Sequence, residues 1–176
     1  MAEYHSPCVV TPNIPLSCLN AVEKFILTTV LQHERVEVEQ ALYLFSEEGI
    51  DEEIKVSRAK CEAALSQTEP GTNHLAMHFA AEISAPSQRE DPEPLVCFIN
   101  ALDPLHVLQG IVRRYSERLP YVVVQQALTC TRMRPDGFGG AATFIAPDRI
   151  EHICTTSWAR ERIEALRTAR GVFAES

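Results

Sequence analysis

One segment near the C-terminus has the composition of a buried strand followed by a return strand. Residues 121–131 (YVVVQQALTCT) are rich in β-branched and aromatic side chains, and the three consecutive valines indicate a central position in a sheet. A loop rich in glycine and arginine follows at 132–140, and residues 141–146 return as a second strand. This pair predicts a β-hairpin, so the fold must contain an antiparallel sheet.

Helical periodicity lies on both sides of this hairpin. A helix is predicted from Pro15 to about Gln32, because apolar residues recur there at three- and four-residue steps. Asp103 followed by Pro104 is typical of a helix start, and Pro120 ends that helix. Three more helices are predicted: one capped by Ser57 and ending near Leu65, one at 74–83, and one capped by Ser157 and ending at Gly171.

Shorter strands complete the predicted architecture. Residues 36–45 are predicted as a strand with a turn or bulge near Gln40, and 53–56 as a short strand. Residues 95–99 fit a strand or a helix, and 147–148 open a short helical turn. The elements together predict an α+β fold, with several helices packed on one face of a small, mostly antiparallel sheet.

The length of 176 residues is typical of a single core. We expect residues 1–14 to form a flexible N-terminal arm, 15–171 a single α+β domain, and 172–176 a tail. Residues 84–94 (SAPSQREDPEP) contain three prolines and no large apolar side chain, which predicts a surface linker within the domain.

The cysteines and the first residues indicate a cellular location. No two of the six cysteines have the spacing of zinc ribbons or redox motifs, and most have apolar neighbours, which favours buried thiols over disulfides. The opening residues, MAEYHSPCVV, carry an acid where a secretory signal carries bases. No apolar run approaches the roughly 20 residues that cross a bilayer. We expect a soluble cytoplasmic protein without a cofactor.

The charge is divided unevenly between the two halves. The formal net charge is −8, but residues 1–94 hold 16 acidic and 6 basic residues, whereas 95–176 hold 8 acidic and 10 basic residues, all arginine. An acidic surface repels nucleic acid and attracts basic protein surfaces. Direct nucleic-acid binding is therefore not expected. The alternative is that the two halves neutralise each other across the fold.

An acidic cluster follows the predicted strand at 36–45. Its proposed partner-binding residues are Glu47, Glu48, Asp51, Glu52 and Glu53. Carboxylates spaced along a strand and turn can engage a basic protein surface or imitate a phosphate backbone. The alternative is a solvated edge that prevents strands from pairing.

The loop of the C-terminal hairpin is a candidate anion site. Its residues are Arg132, Arg134, Gly137, Gly139 and Gly140, in which glycines at positive φ would expose N–H groups beside two guanidinium groups. The alternative is a long turn whose arginines pair with the acidic half of the chain.

Metal and nucleophile sites are weaker candidates. His74, His78 and Glu82 share one face of a predicted helix and could hold a metal, or they could form its solvent face. Cys130, His152 and Asp148 or Asp136 could form a nucleophile, base and acid, although nothing in the sequence brings them together.

Three stretches carry a resemblance to a known family. They are NIPLS at 13–17, YLFSEEG at 43–49 and TRMRPDGFGG at 131–140. Together they resemble a family of small uncharacterised proteins of proteobacterial plasmids and integrated mobile elements. The resemblance implies an accessory role such as counter-defence, maintenance or transfer, and no activity or catalytic residue.

These observations favour a non-enzymatic accessory protein that binds a protein partner through its acidic half. The partner would be a basic surface in a host nucleic-acid-handling or defence complex. The alternative is a small enzyme or ligand-binding domain that recognises an anion at 132–140. A homodimer formed through an apolar sheet face or helix stripe is a third hypothesis.

Overall fold

The structure is a computed structural model that describes residues 3–50, 53–68, 80–81, 95–99, 103–132 and 137–169. Its strands are β1 (Tyr4–His5), β2 (Cys8–Pro15), β3 (Gln32–Val36), β4 (Ala41–Ser46), β5 (Glu53–Ser57), β6 (Leu95–Ile99), β7 (Val122–Cys130), β8 (Gly139–Ile145) and β9 (Ile150–Cys154). Its helices are α1 (Ala21–Val30), α2 (Arg58–Ser66), α3 (Pro104–Arg114) and α4 (Thr155–Ala169), and a 3-10 turn at Leu16–Cys18 precedes α1. This composition confirms the α+β class.

One antiparallel sheet organises the described part of the chain. Its strand order is β3-β4-β2-β7-β8-β9, and β1 also pairs with β7. β5 and β6 form a separate antiparallel pair. The predicted hairpin is confirmed, with Val122 opposite Ile145 at one end of the β7–β8 pair and Leu128 opposite Gly139 at the other.

Local capping residues define where α1 and α3 begin. The side chain of Asn20 accepts a hydrogen bond from the Glu23 N–H, and the Glu23 carboxylate accepts one from the Asn20 N–H, which is a capping box. Asp103 accepts a hydrogen bond from the Leu105 N–H, and Pro104 occupies the first turn. Both helices therefore start at residues whose side chains satisfy exposed N–H groups.

Helices α1 and α3 cover one face of the sheet in the part of the chain that the structure describes. Leu44, Val10, Val124 and Thr143 lie opposite one another across β4, β2, β7 and β8, and all four are buried. Val10, Leu44 and Val124 share a core with apolar residues of α1 and α3. Because neighbouring residues of a strand point to opposite faces, the alternate positions form a second face.

Three local predictions are wrong. Residues 8–15 are a central strand rather than part of an arm, since Cys8, Val10 and Ile14 are buried between β4 and β7. Residues 36–45 are not one continuous strand, because the chain reverses at 37–40 between β3 and β4; the predicted turn near Gln40 is present. Residues 147–148 form the bend of a β8–β9 hairpin rather than a helical turn.

Several predicted segments fall outside the described residues. These are the linker at 84–94, most of the helix at 74–83 and the tail at 172–176. Residues 95–99, which fitted either a strand or a helix, form β6. No helix in the described part of the chain has the length and apolarity that crossing a bilayer requires.

Candidate functional site

A row of side-chain positions crosses the face of the sheet opposite the one that α1 and α3 cover. In register, Phe45 of β4 lies opposite Val9 of β2, Val9 opposite Gln125 of β7, Gln125 opposite Ala142 of β8, and Ala142 opposite Ile153 of β9. Residues directly opposite each other in an antiparallel sheet project to the same side. We call this side the open face.

The open face forms a groove of about 790 Å³. Most of its lining is apolar or aromatic, and its large side chains are Val9, Tyr43, Phe45, Ile153 and Trp158. The rings of Tyr43 and Phe45 are stacked, with centroids 5.1 Å apart. Ile153 and Trp158 remain 58% and 52% exposed, so the described residues leave the apolar surface of the groove in contact with water.

Glu47 places a carboxylate at the β4 end of this groove. Glu47 lines the groove directly after β4, and the bend that carries it is held by Ser46, whose hydroxyl donates to the Gly49 carbonyl and accepts from the Gly49 N–H. Ser6 also donates a hydrogen bond to the Glu48 carbonyl, at 3.1 Å. The bend is thereby tied to the segment between β1 and β2.

The predicted acidic cluster is described only in part. Glu47 and Glu48 are exposed on the bend after β4. Glu53 starts β5, where its backbone lies opposite Ile99. Asp51 and Glu52 lie outside the described residues. Among the members of this cluster whose side chains the structure describes, Glu47 lines the groove.

Helix α4 borders the groove but none of its side chains is buried. Its large apolar residues Trp158, Ile163 and Leu166 are each about half exposed. Trp158 faces the groove, and the Arg162 guanidinium lies 5.9 Å from the centre of its ring. On another side of α4, a second hollow is lined by Phe138 and Ile163. Exposed apolar side chains therefore lie on the open face of the sheet and on more than one side of α4.

Two glycines let α4 start directly against β8. A Cβ at Gly139 would lie 3.2 Å from Thr155 Oγ1, and one at Gly140 would lie 3.4 Å from the Gln126 carbonyl oxygen. The Gly140 N–H donates a hydrogen bond to Thr155 Oγ1 at 2.9 Å. A larger residue at Gly139 would thus push the first turn of α4 away from the sheet, and one at Gly140 would crowd the backbone of β7.

This geometry changes the interpretation of the hairpin loop. Gly139 and Gly140 lie in β8 without positive φ, so the expectation of left-handed glycines there is wrong. The Gly140 N–H already has a hydrogen-bond partner. Arg132 is exposed and Gly137 is buried, while Arg134 lies outside the described residues.

The candidate nucleophile and base are far apart. His152 lies opposite Thr143, which lies opposite Val124, whereas Cys130 is at the far end of β7. Six residues of strand separate Cys130 from Val124, a distance of about 20 Å. His152 Nδ1 lies 3.0 Å from Thr143 Oγ1, and Asp148 pairs with Arg149. Asp136 lies outside the described residues.

The metal candidates His74, His78 and Glu82 also lie outside the described residues. Among the residues that the structure does describe, no three His, Cys, Asp or Glu side chains are grouped so that they could hold a metal ion.

One cysteine has an environment that the sequence did not reveal. Cys154 ends β9 directly before α4, and the backbone N–H groups of Ser157 and Thr156 hold the pKa of its thiol below the ordinary value. Burial instead raises the pKa of Cys8 and Cys61. The five cysteines whose side chains are described are free thiols, and four of them are buried, as predicted.

The groove itself was missed by the sequence analysis. Val9 was assigned to the flexible arm, and Tyr43 and Phe45 were treated only as part of a strand. One pattern in the sequence pointed to it. In β4 apolar and aromatic residues occupy both the odd and the even positions, which is typical of a strand with two apolar faces.

No protein-family model matches this chain, and neither a curated protein nor a solved structure is significantly similar to it.

Proposed function

We propose that this chain is a non-enzymatic protein-binding module that holds an apolar polypeptide segment in the groove of its open face. The observation that carries the proposal is the row across the sheet, in which Phe45, Val9, Ala142 and Ile153 are apolar and only Gln125 at the centre is polar, together with Trp158 at the rim. Exposed contiguous apolar surface is typical of interaction sites.

The extent of the apolar surface favours a polypeptide over a small ligand. Phe138, Ile163 and Leu166 continue the exposed apolar surface beyond the groove, at exposures of 47 to 52%. A small molecule in the groove would leave these three side chains in water. A helix or strand of a partner could cover both the groove and part of α4.

The charge at the rim favours a partner with basic groups. Glu47 lines the β4 end of the groove, and Glu34 lies opposite Tyr43 on the edge strand β3. In the described part of the chain, neither carboxylate is within ion-pair distance of a base. Glu48, Asp51, Glu52 and Glu53 extend the proposed acidic contact, which would steer a basic segment toward the groove.

The cellular role is also part of this proposal. Free thiols are compatible with a reducing compartment such as the cytoplasm. The resemblance to accessory proteins of mobile elements supports a partner within a host nucleic-acid-handling or defence complex. The separation of Cys130 from His152 supports a role in binding rather than catalysis.

The fluorescence of Trp158 tests the proposal because it is the only tryptophan in the chain. At low protein concentration, the chain is titrated with a helical peptide that carries leucine on one face and lysine on the other. We expect a blue shift in emission and saturable binding, since the peptide would cover the indole ring. A matched peptide with glutamate in place of lysine should bind at least about tenfold more weakly.

Two variants separate groove binding from non-specific adsorption. Phe45→Asp places a charge in the groove and should abolish the saturable change. Val38→Asp makes the same kind of substitution at a 98% exposed apolar residue outside the groove, and should leave the titration unchanged. Equal titrations for wild type and Phe45→Asp would contradict the proposed function.

A further inference from the structure

The helix α4 has exposed apolar and arginine side chains, and the groove of the same chain is apolar with a carboxylate at one end. The two surfaces are therefore complementary in apolarity and in charge. We infer that the groove of one copy binds helix α4 of a second copy, and that the second copy does the same in return. This inference rests on the proposed function of the groove and names its occupant. The resulting two-fold dimer would contain two identical helix–groove contacts.

The first argument is that α4 requires a surface to pack against. It is 15 residues long, and no side chain on it is buried. Isolated helices shorter than about 12–15 residues are marginal in water, and most helical stability in proteins comes from packing an apolar face. Ala159, Ile163 and Leu166 recur at four- and three-residue steps and form such a face, with Trp158 beside it.

The second argument is that the helix and the face have matching dimensions. A helix of 15 residues is about 22 Å long. The open face from β3 to β9 crosses five inter-strand spacings of about 4.8 Å, which gives about 24 Å. One helix therefore spans the width of the open face.

The third argument is that the two ends of this surface carry opposite charges. Glu34 and Glu47 lie at the β3–β4 end, whereas α4 has a net charge of +1, because its three arginines, Arg160, Arg162 and Arg167, outnumber its two glutamates, Glu161 and Glu164. Among the described residues, none of these three arginines is within ion-pair distance of a carboxylate. A two-fold axis through the groove would bring the basic helix of each copy to the acidic end of the other.

The contact area of two helix–groove contacts approaches that of a specific dimer, whereas one contact falls well short of it. A helix about 22 Å long and about 10 Å wide covers a footprint of about 220 Å². Each of the two contacts buries about 220 Å² on the helix of one copy and the same area on the groove of the other. Taken as flat surfaces, the two contacts therefore bury about 900 Å² in total. The curvature of the helix and groove raises this value toward the roughly 1,200 Å² at which stable interfaces begin. A single contact would provide only half of this area.

Sedimentation of complementary variants tests the inference. Ala142→Arg blocks the floor of the groove and leaves α4 intact, whereas Ile163→Asp disrupts the apolar face of α4 and leaves the groove intact. We expect wild type to dimerise, and each variant alone to raise the dimer dissociation constant at least about tenfold. A mixture of both variants retains one intact helix–groove contact, so it should associate more weakly than wild type but more tightly than either variant alone.

Controls make each outcome informative. Thr168→Asp, on the polar face of α4, should dimerise like wild type, and circular dichroism checks that every variant is folded. A monomeric wild type, a dimer that Ala142→Arg leaves intact, or a mixture that associates no more tightly than either variant alone would overturn the inference. A monomer that still binds the lysine peptide through Trp158 would leave the proposed function standing, whereas a monomer without peptide binding would overturn both.

Discussion

The carboxylate of Glu23 on α1 forms an ion pair with Arg114 at the end of α3. The distance from Glu23 Oε2 to Arg114 Nη2 is 2.6 Å, and the Glu23 side chain is only 1% exposed. The same carboxylate accepts a hydrogen bond from the Asn20 N–H in the capping box. The pair therefore joins the two helices that cover the inner face of the sheet, although 91 residues separate its members.

Removing the cation from this pair should strongly destabilise the fold. Arg114→Met removes the ion pair that Arg114 makes with the buried Glu23 carboxylate, and the expected loss is about 3 kcal/mol in the free energy of unfolding. Arg35→Met is the control, because Arg35 pairs with Glu37 on the exposed surface and should cost less than about 1 kcal/mol. Denaturant unfolding measures both values. Similar losses for the two variants would contradict the assigned role of the pair.

Two glycine-to-alanine substitutions should have opposite effects on stability. Gly49 has a φ of +112°, and a Cβ there would collide with the Ser6 side chain, so Gly49→Ala should destabilise the fold by at least about 1 kcal/mol. Gly110 lies within α3, where the nearest contact of a Cβ would be the end of the Arg114 side chain at 3.9 Å. Gly110→Ala should therefore stabilise the fold by about 0.5–1 kcal/mol. Unfolding midpoints that move in the same direction would refute this prediction.

Cys154 should react with alkylating reagents at a lower pH than an ordinary thiol. Because the Ser157 and Thr156 N–H groups lower its pKa, a larger fraction of Cys154 is thiolate at any pH below the ordinary value. The midpoint of its alkylation rate against pH should lie below that of the same residue in the denatured chain. Peptide mass spectrometry resolves this rate from those of Cys8 and Cys61, whose raised pKa values predict slow reaction.

A backbone variant tests the cause of this shift. Ser157→Pro removes the N–H group with the largest effect, at a position in the first helical turn where proline is tolerated. The alkylation midpoint of Cys154 should rise toward the ordinary value. An unchanged midpoint would show that these N–H groups do not control the thiol.

Elements with strong local patterns were predicted correctly from the sequence. The Asp103–Pro104 start of α3 and the valine-rich β7 depend on residues that are adjacent in the chain. β2 was missed because two prolines and an asparagine interrupt it, and because its partners β4 and β7 are distant in sequence. Only its burial between those strands reveals it as central.

The candidate site depends on information that periodicity does not contain. The spacing of Trp158, Ile163 and Leu166 predicted a helix with an apolar side, but not that the described fold would leave that side uncovered. Similarly, the alternation in β4 cannot indicate which of its two apolar faces the helices cover. That choice is made by the packing of α1 and α3 on the side of Leu44.

Site-specific photo-crosslinking tests the role of the open face most directly. A photoreactive phenylalanine derivative replaces Gln125, which is exposed at the centre of the open face, or Glu117, which is exposed in the segment after α3. After irradiation of producing cells, position 125 should give discrete adducts with a second polypeptide, and position 117 should not. Absence of such adducts at 125, or equal adducts at both positions, would contradict a docking role for the open face.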